Sequence, residues 1–131
     1  MKKIVICLLT LNMTLFADIV VIANKNVPNM DVKTIAKIFT GKIIQVNSTA
    51  ITPVNLLQND LKNKFLQKFV GMSYEQYSAY WTVRQYIGKG TAPRDLSPVA
   101  AMIAYIKQTP GAIGYINDTD LVDGVNIIAR K

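Results

Sequence analysis

The sequence predicts an α/β fold, a small mixed β-sheet flanked by helices in one domain. Three observations carry this. Short apolar runs alternate with segments of helical periodicity along the chain. Glycine and proline punctuate the alternation, and no repeat, low-complexity run or linker divides it. The length of 131 residues suits a single core.

The elements follow in order. Asp18 to Ala23 (DIVVIA) reads as a buried strand. Asp31 is placed to cap a helix whose apolar face is Val32, Ile35, Ala36 and Phe39, and Gly41 suits the left-handed position that ends it. The Thr40-Gly41-Lys42 string lacks the upstream glycine of a phosphate loop, so it reads as a helix stop. Residues 43–50 read as a polar connection. Ile51 to Leu56 is a second strand, with Pro53 pointing to an edge or a strand start. A helix over 61–70 carries Leu61, Phe65 and Phe69 on its buried side and ends at Gly71. Ser73 and Gln76 form a capping box for the next helix. Its stripe of Tyr74, Tyr77, Tyr80 and Trp81 reads as core, with Arg84 placed to stack on the aromatics or reach solvent.

The stretch from Gly88 to Ile116 is the most organised. A loop with Lys89 and Arg94 among Gly88, Gly90 and Pro93 feeds a helix. Ser97 reads as the N-cap and Pro98 as the first helical residue, followed by Val99, Met102, Ile103 and Ile106 on one face. Pro110-Gly111 stops the helix and Ala112 to Ile116 reads as a buried strand. Turns at 117–120 and 123–124 precede a last strand over 125–129.

Residues 1–17 have the pattern of a cleaved export signal: Lys2 and Lys3, an apolar run, and Leu15-Phe16-Ala17 at the cut. The run is too short to span a bilayer. The domain is then 18–131, expected in the periplasm or outside the cell and not membrane-spanning. The net charge of +7 loses two units with Lys2 and Lys3 and stays basic, favouring anionic ligands or acidic partners. The lone Cys7 lies in the leader, and there is no histidine. The domain therefore has no disulfide, no cysteine nucleophile, no common zinc or haem ligand set and no histidine general base. Asp60, Glu75, Asp95, Asp118, Asp120 and Asp123 form no pair with a catalytic spacing. Neither an enzyme nor a cofactor is expected. Nucleic-acid binding has only net charge and aromatics behind it and is set aside.

Three segments carry a resemblance. KQTPGAIGYI at Lys107 to Ile116 follows a helix VAAMIAYI and a GKG loop; IAKIFTGKI spans Ile35 to Ile43; YWTVRQYIGKGTAPRD spans Tyr80 to Asp95. Together they resemble the phosphate-type substrate-binding proteins of ABC transporters, and most closely a short, single-lobe, exported subgroup. The resemblance implies one lobe of the type II periplasmic-binding-protein fold, a phosphate-like oxyanion as ligand, and an ABC transporter or another envelope protein as partner. The family's turn after the strand matching Ile51 to Leu56 carries Arg-Ser-Asp and then Gly-Ser-Gly-Thr. Here that turn is NLLQND, Asn55 to Asp60, without serine, threonine, glycine or arginine.

The expected ligand-binding set is Gln58, Asn59, Lys89, Arg94 and Ser97. Lys89 and Arg94 supply charge. Gln58, Asn59 and Ser97 supply directional hydrogen bonds near helix N-termini. The alternative is an interaction module that keeps the fold without the phosphate site and docks through the aromatic 74–86 region on a transporter, an envelope sensor or a second copy.

Overall fold

The computed structural model describes residues 18–131; the leader read over residues 1–17 lies outside the described residues. The main sheet has five strands in the order β5-β4-β6-β1-β7. These are β1 (Ile19–Ala23), β4 (Thr52–Leu56), β5 (Arg94–Leu96), β6 (Ala112–Asn117) and β7 (Asn126–Arg130). β4 runs parallel to both β5 and β6, and β1 runs antiparallel to β6 and β7. A separate hairpin pairs β2 (Gln45–Val46) with β3 (Thr49–Ala50).

Every residue of β1 is buried, as a strand covered on both faces requires. One face carries α4 (Val99–Gln108), whose Met102 and Ile106 lie so close to Gly114 that a Cβ there would sit 2.9 Å from the Met102 sulfur. The other face carries α1 (Val32–Phe39), α2 (Asp60–Phe65) with its π-helical continuation Leu66–Val70, and α3 (Tyr74–Tyr86). There Tyr115 of β6 stacks on Phe65 at 3.8 Å between ring centroids, and Phe65 meets Phe39 edge-on at 4.7 Å. The chain leaves β4 through α2 and α3 to reach β5 on one side, then crosses through α4 to β6 on the other. Right-handed crossovers in opposite directions demand helices on opposite faces.

The predicted caps at Asp31 and Ser73 are present: Asp31 accepts from the Thr34 N–H, and Ser73 with Gln76 forms the reciprocal capping box. Tyr77 and Trp81 are core, and Gly71 ends its helical segment in the left-handed region. Three expectations change. The polar connection is the β2–β3 hairpin, turned by Asn47 and Ser48, both at positive φ as a two-residue primed turn requires. The loop around Arg94 contains the short edge strand β5, which three residues of no apolar periodicity do not announce. Ser97 does not cap α4. Pro98 is the N-cap, because its ψ of −173° is extended and the helical dihedrals begin at Val99; no side chain caps this helix.

Gly41 ties α1 to α3. It follows the last turn of α1 at φ +74°, and a Cβ there would lie 2.7 Å from the Trp81 ring. We expect Gly41→Ala to lower unfolding free energy by about 1–3 kcal/mol, from the left-handed backbone and the displaced indole together. Urea denaturation of residues 18–131 measures it; an unchanged midpoint would contradict this packing.

Candidate functional site

The order β5-β4-β6, all parallel, puts the sheet's topological switch point between the carboxyl ends of β4 and β6: the connection after β4 leaves to one side of the sheet and that after β6 to the other, and such crevices are where open α/β sheets hold ligands. The carboxyl end of β5 lies beside that of β4. The Leu57 N–H donates to the Leu96 carbonyl at 2.9 Å and holds the two strand ends together. Gln58 and Asn59 follow β4, and Ser97 follows β5, so three of the five predicted residues gather at this edge. Two of them make local contacts. Asn59 Oδ1 caps α2 by accepting from the Lys62 N–H at 2.8 Å, and Gln58 Nε2 donates to Asn63 Oδ1 at 2.9 Å. The turns after β4, β5 and β6 contain Asp60, Asp118 and Asp120 and no lysine or arginine.

Beneath this edge the polar groups are spent on one another. Tyr115 Oη donates to Asn55 Oδ1 at 3.0 Å and accepts from the Leu56 N–H at 3.1 Å. Asn55 Nδ2 donates to Tyr77 Oη at 3.1 Å, and Tyr77 Oη donates to the Phe39 carbonyl at 2.8 Å. Trp81 Nε1 donates to that same carbonyl at 3.2 Å. A cavity of about 220 Å³ opens beside Asn55 and Tyr77, and in it Lys62 Nζ meets Asp95 Oδ1 at 3.0 Å. Lys62 is buried and Asp95 is partly open, so the carboxylate neutralises an ammonium otherwise stranded out of water.

The cations lie at the other end of the strands. Lys89 and Arg94 line a cavity of about 390 Å³ bounded by the end of α1, the hairpin, the start of β4, Trp81 and Tyr105. Its polar side chains also include Thr52 and Thr91, and no carboxylate lines it. The loop that carries Lys89 is fixed from α3. The Lys89 N–H donates to the Arg84 carbonyl at 2.8 Å, the Gly88 N–H donates to the Gln85 carbonyl at 3.2 Å, and Gln85 Oε1 accepts from the Ala92 N–H at 2.9 Å. The Arg94 guanidinium lies over the Tyr105 ring at 5.7 Å. Among the described residues the sole ion pair is Lys62–Asp95, so Lys89 and Arg94 carry unneutralised charge. Arg84 lies over both Tyr80 and Trp81, and its Nη2 donates to the Gly41 carbonyl at 3.4 Å behind the cavity wall.

The predicted set is therefore divided. Lys89 and Arg94 share the larger cavity; Gln58, Asn59 and Ser97 are not among its lining residues. Sequence reasoning missed Thr52, Thr91 and Tyr105 as neighbours of the cations. The available signal was the string KGTAPR, where a hydroxyl lies between two cations in a glycine-proline loop. Among the described residues no cluster of acids is placed to hold a metal, and no helix is long and apolar enough to cross a membrane.

No family model and no curated protein matches the sequence. Solved structures do. A Clostridium perfringens protein described as a phosphate ABC transporter substrate-binding protein, with bound phosphate, superposes with a TM-score of 0.61 at 21% identity. The match covers 86% of this chain and 45% of that one. An ABC-type phosphate transport receptor from Vibrio cholerae gives 0.62 at 15% identity, over 86% of this chain and 46% of that one. The chain has the fold of one lobe of a type II periplasmic binding protein. It spans less than half the length of either solved protein.

Within this lobe the buried tyrosines predict an alkaline transition. Burial pushes the Tyr77 hydroxyl up to about 12, partly offset by its hydrogen bonds, and burial raises that of Tyr115 as well. The unfolded chain loses these protons near pH 10 while the folded one keeps them. Their stabilising contribution is thus complete below about pH 10 and is lost as pH rises towards the folded values. The stability advantage of the wild type over Tyr77→Phe should be constant up to about pH 9. Above about pH 10 it should shrink by up to about 1.4 kcal/mol per pH unit. Urea titrations of both proteins from neutral to alkaline pH read this difference; parallel curves would contradict it.

Proposed function

We propose that this chain is an exported, single-lobe solute-binding protein that takes a small phosphate-like oxyanion in the cavity headed by Lys89 and Arg94. The carrying observation is that these two cations, unpaired among the described residues, share one cavity without a lining carboxylate. The fold supports the reading, since a matching structure holds phosphate. Arg94 offers a planar fork suited to two anion oxygens, Lys89 a mobile ammonium, and Thr52 and Thr91 hydroxyl donors. The switch-point edge suits an anion less well, because Asp60, Asp118 and Asp120 carry the charge there. After removal of residues 1–17 the lobe works in the periplasm or outside the cell and hands its ligand to an ABC transporter or another envelope protein. Gln58, Asn59 and Ser97, beside these acids, give such a partner a polar edge to meet.

One observation favours a second reading, an interaction module without a ligand. Val83, Tyr86 and Ile87 lie at i, i+3 and i+4 along α3 and its C-cap, and all are exposed, Tyr86 at 91%. Light scattering tests it: a strict monomer from which envelope extracts capture nothing would argue against a docking role.

For the anion reading, calorimetry of residues 18–131 at low salt against phosphate and sulfate is expected to show binding at millimolar ligand or below. Replacing Lys89 and Arg94 together by methionine should weaken it by about tenfold or more. Gln58→Ala and Ser97→Ala should leave it within about twofold. No heat at millimolar anion would remove the anion reading, and loss of binding in Gln58→Ala would move the site to the switch-point edge.

A further inference from the structure

The walls of the cationic cavity say more about its ligand than the two cations do. An inorganic oxyanion wants hydrogen-bond donors on every side, since each oxygen taken from water must find a partner. This cavity has its charged and aliphatic hydroxyl side chains at Lys89, Arg94, Thr52 and Thr91, while Ile38, Ile43, Ile51, Pro93 and the rings of Trp81 and Tyr105 make its walls mainly apolar. Ile38 and Trp81 belong to the buried core, so these walls are set by the packing of α1 and α3. A volume of about 390 Å³ falls in the range of small-molecule pockets, which are mainly apolar with a few placed polar groups. A small tetrahedral ion at the two cations would leave the apolar walls facing water.

We propose that the cavity binds an amphipathic anion: a phosphate, sulfonate or carboxylate head at Lys89 and Arg94, joined to a compact aromatic or aliphatic body laid against Trp81 and the isoleucines. This rests on the anion reading above and narrows it from inorganic oxyanions to organic ones. Two features fit the assignment. The head groups and the apolar walls belong to one continuous cavity, so a single molecule reaches both. Ile44 lines the same cavity while 73% exposed, and such an apolar side chain at the mouth gains burial when a ligand body covers it.

The test uses residues 18–131 and three probes in calorimetry at low salt: inorganic phosphate, phenyl phosphate and phenol. The expected order is phenyl phosphate tighter than phosphate by at least about tenfold, with phenol weaker than phenyl phosphate by a similar factor. Lys89→Met should weaken phenyl phosphate several-fold. Ile44→Ser, at an exposed position that leaves the core intact, should weaken phenyl phosphate several-fold more than phosphate. Circular dichroism confirms that both variants fold. Equal affinity for phosphate and phenyl phosphate would overturn the amphipathic assignment and leave the anion site standing. Phenol binding as tightly as phenyl phosphate, or no binding by any probe, would overturn both.

Discussion

One carbonyl and one asparagine hold the two halves of this lobe together. The Phe39 carbonyl, at the end of α1, accepts from Tyr77 and Trp81 of α3; Tyr77 in turn accepts from Asn55 of β4, which accepts from Tyr115 of β6. Each bond contributes only about 1 kcal/mol net, but a partner left without its mate in this interior would cost about 1–3 kcal/mol. The network is closed at each of these contacts, so it acts as a constraint on position more than as a source of energy. It fixes α3 against α1, and with α3 it fixes the Trp81 indole against Gly41. The Lys89 loop then hangs from the carbonyls at the end of α3. One wall of the larger cavity depends on this network, because Trp81, which the network holds, lines it beside Gly41.

The same network explains why the switch point offers so little to an anion. In an α/β sheet the donors at the carboxyl ends of the strands are the natural ligand groups. Here Asn55, at that end of β4, is turned inward and buried, and the Asn59 carbonyl oxygen serves the backbone of its own helix. Lys62, the nearby cation, is neutralised by Asp95. The alternation of β5 sorts charge: Asp95 lines the smaller cavity with Lys62, and Arg94, one residue earlier, lines the larger one over Tyr105. A three-residue strand thus places a carboxylate and a guanidinium in different cavities, so they do not quench each other.

The fold was legible where local chemistry and burial agree. The apolar runs at β1 and β6 need no context to be read as buried strands, and the caps at Asp31 and Ser73 are local hydrogen bonds written in three or four residues. The PGAIGY turn and strand was readable for the same reason. What escaped depended on distant partners. β5 exists because Asn55 and Leu56 lie beside it, and nothing within Arg94–Leu96 demands a strand. The hairpin at 45–50 is two short bridges around Asn47-Ser48, and no apolar alternation marks it. The division of the predicted ligand residues was unreadable for the deepest reason. Sequence placed the Gln58 turn and the Lys89 loop each beside a helix start, but which end of the sheet each occupies is a property of topology.

A single lobe also limits what charge alone can do. Lys89 and Arg94 are both exposed, so an anion beside them still sees water. A pair of unit charges at 4 Å is worth only about 1 kcal/mol in bulk water and several times that once water is excluded. Salt screens the exposed pair further, with a Debye length of about 8 Å at physiological ionic strength. A two-lobed binding protein escapes this limit by closing over its ligand. An open lobe has two physical routes to the same end. The ligand can bring its own apolar cover, displacing water from the isoleucine and tryptophan walls as it binds. Otherwise a partner surface can close over the cavity mouth, where Ile44 stands exposed at the rim. Both routes would make affinity for an anion at Lys89 and Arg94 depend on apolar burial around those cations, which is the physical basis of the proposal that the uncharged walls set selectivity.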